Sequence, residues 1–149
     1  LFLDKIGVST LVEFLNLKTS NQLFIVLDAI NELLKRVPTE NENFPLILGA
    51  RHCIPSIVRL LTMDHEQHLL IKILDCIQRL CLLPTYRPCR RNQTIFQKAN
   101  GFNQLLTLIQ RSNREKFIQA KAITTLAYTI FGRKSFLFLM LFTHIDFRS

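Results

Sequence analysis

Residues Asn92–Phe131 read NQTIFQKANGFNQLLTLIQRSNREKFIQAKAITTLAYTIF and hold three helical patterns in succession. The first ends at the Asn100-Gly101 turn. The second carries Phe102, Leu105, Leu106 and Ile109, and the third carries Phe117, Ala120, Ile123, Leu126, Ala127 and Ile130. Apolar residues at i, i+3, i+4 belong to helices that bury one face. Between the second and third patterns, Ser112 stands three residues ahead of Glu115, the sequence of a capping box that starts a new helix.

The rest of the chain reads as imperfect copies of this stretch. Val8, Leu11, Val12 and Leu15 match Ile54, Ile57, Val58 and Leu61, and these match Phe102, Leu105, Leu106 and Ile109. In the next helix Leu23, Val26, Leu27, Ile30 and Leu33 match Leu70, Ile73, Leu74, Ile77 and Leu80. Thr19 with Gln22 and Asp64 with Gln67 repeat the spacing of Ser112 with Glu115, so a capping box is expected at each copy. Gly7 and Gly101 mark a bend that calls for positive φ; Cys53 holds that place in the middle copy, whose bend is expected to differ. The copies are bounded at residues 1–36, 44–83 and 92–131. A polar loop (37–43) separates the first two, and a basic insert with Pro84 and Pro88 (84–91) separates the last two.

With 149 residues and 48% hydrophobic content, the chain is one domain's worth of core, and four Gly, five Pro and sustained helical periods point to an all-α class. The chain opens at Leu1 with what reads as the tail of a helix, so a fragment of a longer protein is expected. Cys53, Cys76, Cys81 and Cys89 form no CxxC pair and suit buried thiols in a reduced intracellular protein, cytoplasmic or nuclear. The longest apolar run, Phe136 to Phe142, is far short of the roughly 20 residues of a membrane-spanning helix. Residues 132–149 break the pattern. They admit three readings: the first helix of a further repeat, an apolar cap on the third copy, or an altered terminus, of which the last is preferred. Charge is uneven, with a net −2 over residues 1–75 and +10 over residues 76–149, which favours an acidic partner for the second half.

The three-helix period of 46 to 48 residues, the Gly101-Phe102 and Ile54-Pro55 bends, and the runs Ala29-Ile30-Asn31-Glu32-Leu33, Cys76-Ile77-Gln78-Arg79-Leu80-Cys81 and Ala122-Ile123-Thr124-Thr125-Leu126-Ala127 together resemble the armadillo repeat. The resemblance covers about residues 1–131, and the long inserts look similar to ankyrin-and-armadillo-repeat proteins. HEAT repeats are the nearest competitor, but have two helices per unit. The resemblance implies a right-handed α-solenoid of about three armadillo-like repeats, the first truncated, whose third helices line a concave groove for a protein or extended peptide. Peptide-binding members carry an asparagine ladder with tryptophans nearby. Here Glu32, Arg79 and Thr125 stand at the ladder positions and the chain has no Trp, so binding of nuclear-import signals is not expected.

The groove set under this reading is Asp28, Asn31, Glu32, Asp75, Gln78, Arg79, Thr124, Thr125 and Tyr128. Asp28, Glu32 and Asp75 read either as solvated helix-face charges or as anchors for basic partner side chains. A basic patch of Arg87, Arg90, Arg91, Lys98, Arg111, Arg114, Lys116 and Lys121 suits an acidic or phosphorylated protein segment. Nucleic acid or an anionic membrane is the alternative, weakened because Tyr86 is the one aromatic within the insert. A purely structural piece of a longer solenoid is the other. His65 and His68 beside Asp64 and Glu66 read as a polar helix start rather than a metal site, and His52 beside Cys53 cannot pair with it on a helix. With no phosphate loop or clustered triad, neither catalysis nor a cofactor is expected.

Overall fold

The computed structural model describes residues 5–16 and 19–132. Its regular elements are α1 (Lys5–Glu13), a 3₁₀ turn (Phe14–Asn16), α2 (Ser20–Leu34), α3 (Phe44–Ala50), α4 (Cys53–Leu61), α5 (Gln67–Cys81), α6 (Arg90–Lys98), α7 (Gly101–Arg111) and α8 (Lys116–Ile130). Among the described residues there is no strand, only a lone antiparallel bridge between Leu82 and Pro88, and the all-α expectation holds. No single helix among them is long and apolar enough to cross a membrane. The readings of residues 133–149 lie outside the described residues.

Helices pack by copy. α2 lies on α5 and α5 on α8, while α3 meets α6 and α4 meets α7. A shift of 47 residues lays buried Leu23, Val26, Leu27, Ile30, Leu33 and Leu34 of α2 on buried Leu70, Ile73, Leu74, Ile77, Leu80 and Cys81 of α5. One core runs from Val8 to Leu126 through these residues. Each fully buried Leu or Ile contributes about 1.5–3 kcal/mol relative to exposure.

α8 departs from its expected face. Its buried residues are Ile118, Ala122, Thr125, Leu126 and Thr129, whereas Phe117 is 62% and Ile123 44% exposed. Ala120 and Ala127 are exposed and Ile130 is half-buried. Of the expected set, only Leu126 is in the core. The register that fits is a shift of 49 from α5, laying Ile118, Ala122, Thr125, Leu126 and Thr129 on Leu69, Ile73, Cys76, Ile77 and Leu80. The helix is apolar on two sides, so periodicity alone does not choose. Burial of the threonine side is possible because Thr125 donates to the Lys121 carbonyl (2.7 Å) and Thr129 to that of Leu126 (2.7 Å).

The bends also differ from expectation. The left-handed residues are His52 (φ 65°) and Asn100 (φ 68°), one position before Cys53 and Gly101, so the middle and third bends match instead of differing. Asn tolerates this region readily. Gly101 is needed for space: a Cβ there would come within 2.4 Å of the Phe96 ring. The capping boxes do not form. Helix α8 starts one residue after Glu115, which takes the N-cap place, and the Ser112 hydroxyl turns back to the Leu108 carbonyl. Glu66, not Asp64, is the N-cap of α5, and Thr19 donates to the Gln22 side chain instead of capping an amide.

Candidate interaction groove

The third helix of each copy (α2, α5, α8) carries the expected groove residues, and polar side chains join these helices rung by rung. Lys72 on α5 pairs with Asp28 on α2 at 2.7 Å, and Lys121 on α8 pairs with Asp75 on α5 at 2.7 Å. Asn31 donates to the Lys72 carbonyl (3.2 Å) and accepts from Arg79 (2.9 Å). Gln78 donates to the Thr125 hydroxyl at 2.8 Å. The Lys72 stem also carries its ammonium over the Phe24 ring at 5.3 Å, and Phe24 meets His68 at 5.5 Å between centroids.

This geometry revises the two expected roles of the acidic residues. Asp28 and Asp75 are neither merely solvated nor open anchors: each is an ion-pair partner of a lysine one copy later. The Lys72 ammonium holds the Asp28 carboxyl below its usual value, first by hydrogen bonding and then by charge, against a smaller opposing effect of desolvation. Glu32 pairs with Lys35 at 2.8 Å on its own helix. Asn31 and Thr125 are buried and lie within the stack, whereas Glu32 and Thr124 are exposed and Arg79 and Tyr128 half-buried.

The basic patch divides in the same way. Lys121 is neutralised in the stack. Arg111 donates to the Leu61 carbonyl at 3.3 Å and Lys116 to Gln119 at 3.4 Å. Arg87, Arg91, Lys98 and Arg114 are exposed, and Arg90 opens α6. Arg87 belongs to a turn whose ends are tied together: Cys89 N–H donates to the Cys81 carbonyl (2.8 Å) and Leu83 N–H to that of Arg87 (2.9 Å). Tyr86, in the left-handed region (φ 60°), is 77% exposed at the tip of this turn. Pro88 abuts Gly132 just beyond α8, where a Cβ would stand 3.1 Å from the proline ring. The insert therefore forms a basic lip where α5 and α8 end.

No protein-family model, curated protein or solved structure matches this chain.

Several residues that hold these helices together carry no periodic signal. Asn92 donates to the Pro45 (2.7 Å) and Leu80 (2.9 Å) carbonyls, and Gln93 donates to those of Tyr128 (3.1 Å) and Phe131 (3.0 Å). Both side chains are fully buried. They hold the C-terminal ends of α5 and α8 from a single helix, α6. Lys72 was detectable: acid followed by lysine 44 and 46 residues on, in Asp28–Lys72 and Asp75–Lys121, is a polar echo of the apolar repeat. All four thiols are free and buried. Burial raises each pKa, that of Cys53 to about 12, so the neutral thiol is favoured. Among the described residues no three His, Cys, Asp or Glu side chains converge as metal ligands. A cleft of about 370 Å³ lined by Ser9, Glu13, Asn16, Arg51, His52 and Ser56 shares no residue with the expected groove set.

Proposed function

We propose that the chain is a non-enzymatic scaffold of armadillo-like repeats, forming a right-handed α-solenoid whose α2, α5 and α8 line a groove for a partner protein or extended peptide. The supporting observation is the recurrence of interhelical rungs between residues 44 to 48 apart, which presents equivalent faces of three helices side by side. Stacked repeats of this kind bury a continuous core and offer an extended surface. Because the rungs neutralise Asp28, Lys72, Asp75 and Lys121 internally, the groove floor selects by shape and hydrogen bonding. Charge selection falls to the lip, where Arg87 and Arg91 suit an acidic or phosphorylated segment. Free, buried thiols accord with a reducing intracellular setting, cytoplasmic or nuclear.

Capture of phosphorylated and unphosphorylated peptides by the full chain tests this reading. Replacing Arg87 and Arg91 with Glu should abolish preference for the phosphorylated set, and Tyr128→Ala with Glu32→Ala should weaken both sets by about tenfold, a loss of 1.4 kcal/mol. Retained capture by the Tyr128/Glu32 variant, with unchanged circular dichroism, would remove the groove from the proposal.

A further inference from the structure

The turn between α5 and α6 brings two thiols to its neck. Cys89 N–H donates to the Cys81 carbonyl at 2.8 Å, and the Leu82–Pro88 bridge lies directly inside this bond. Residues that face each other across such a bond in an antiparallel pair have Cα atoms about 5.5 Å apart and side chains on one side of the ladder. A disulfide spans Cα separations of roughly 4.4–6.8 Å, so the neck holds Cys81 and Cys89 at a separation that one can bridge. Both are free thiols. Burial raises the Cys81 thiol, and the neighbouring Cys89 raises it further, as expected of two sulfurs held near each other.

The two positions are not equivalent. Cys81 ends α5 and is 1% exposed, whereas Cys89 is the N-cap of α6 and 6% exposed. Burial pushes the Cys89 thiol up, while a hydrogen bond from the Asn92 backbone N–H and the charge of Arg91 act the other way. When the turn opens toward water the burial penalty falls. The two stabilising contacts remain, because both come from the first turn of α6 itself. Cys89 is then the better nucleophile, and Cys81 is the thiol that follows it. Cys53 and Cys76 also sense one another, but both are 0% exposed within α4 and α5.

We propose that Cys89 and Cys81 form a reversible disulfide site, in which Cys89 attacks a small-molecule disulfide and Cys81 resolves the product. In the first step the Cys89 thiolate bonds to one sulfur of the reagent and expels the other half as a thiolate. In the second, Cys81 loses its proton to solvent, attacks Cys89 Sγ and expels the remaining half. The chain is oxidised by two electrons and the reagent is reduced to two small thiols. The product fastens the neck of the turn that carries Arg87. A transient, reducible disulfide of this kind is the sort that a reducing compartment permits.

Oxidised glutathione added to the folded full chain, followed by alkylation and peptide mapping by mass spectrometry, tests the site. Expected is a Cys81–Cys89 disulfide that forms before Cys53 or Cys76 is modified and that dithiothreitol reverses with circular dichroism unchanged. Cys81→Ala should stop at a glutathione adduct on Cys89. Cys89→Ala should slow modification of Cys81 by more than about tenfold. A wild-type chain that stays fully reduced, one in which Cys53 or Cys76 reacts as fast, or one whose Cys89 adduct never resolves would each overturn the proposal. So would a Cys89→Ala chain whose Cys81 reacts as in wild type. Should either variant fail to fold, the wild-type map decides alone.

Discussion

The Asn92 side chain ties two other helices to α6. Its amide reaches carbonyls 47 and 12 residues away in two different helices, and Gly49 is small because a Cβ there would come within 2.0 Å of Asn92 Oδ1. Asn92→Ala leaves two buried carbonyls without their donor and should cost about 2–3 kcal/mol. At this chain length that lowers the Tm by several degrees, measured by thermal denaturation followed at 222 nm. Gly49→Ala should destabilise by about 1–3 kcal/mol through overpacking. Neither role was legible in the sequence, because a bond to a distant backbone carbonyl leaves no periodic trace and constrains no neighbouring residue type. Asp28 gives a pH-dependent counterpart. Its folded pKa is depressed, so its contribution to stability is present above the unfolded value of 3.8 and is lost as pH falls below it through the folded value. Acid titrations of wild type and Asp28→Asn should therefore differ at neutral pH and converge toward pH 2; curves that stay parallel would show that the pair contributes nothing.

The helices differ in how far their sequences determined their packing. α4 has one apolar side, and Ile54, Ile57, Val58 and Leu61 are buried where periodicity put them. α8 has two, and a second apolar set was available at Ile118, Ala122 and Leu126; contact with α5 and the self-satisfied threonines decide between them. A pair of substitutions reads this register directly. Ile118→Ala should cost about 2–5 kcal/mol as a core truncation, while Phe117→Ser, on an exposed face, should stay within about 0.5 kcal/mol. Reversed magnitudes in denaturant unfolding would restore the face that the i, i+3, i+4 spacing of Phe117, Ala120 and Ile123 suggested. The missing capping boxes have a related cause: α5 and α8 begin later than Asp64 and Ser112 require, and the Ser112 hydroxyl finds the last carbonyls of α7 before any amide of α8.

Across the molecule, the all-helical class followed from the scarcity of Gly and Pro and from the apolar period, whereas the spacing between copies did not stay constant. Its drift from 47 to 49 residues moves α8 by about 200° around its axis relative to a rigid copy, enough to exchange inside for outside. Cys53 and Cys76, both fully buried, provide a global check. They should react with a thiol reagent at the rate of unfolding and be released together in denaturant. Staggered release would locate a helix that opens separately. The tied turn between Cys81 and Cys89 has one more consequence, for engineering. Its ends are fastened to each other by the Cys89–Cys81 hydrogen bond and the Leu82–Pro88 bridge, so the distance from α5 to α6 is set at the neck and not by the residues beyond it. Thr85 and Tyr86 are thus a natural port for an epitope tag or fluorophore, and a short flexible insertion there should leave the melting temperature where it was.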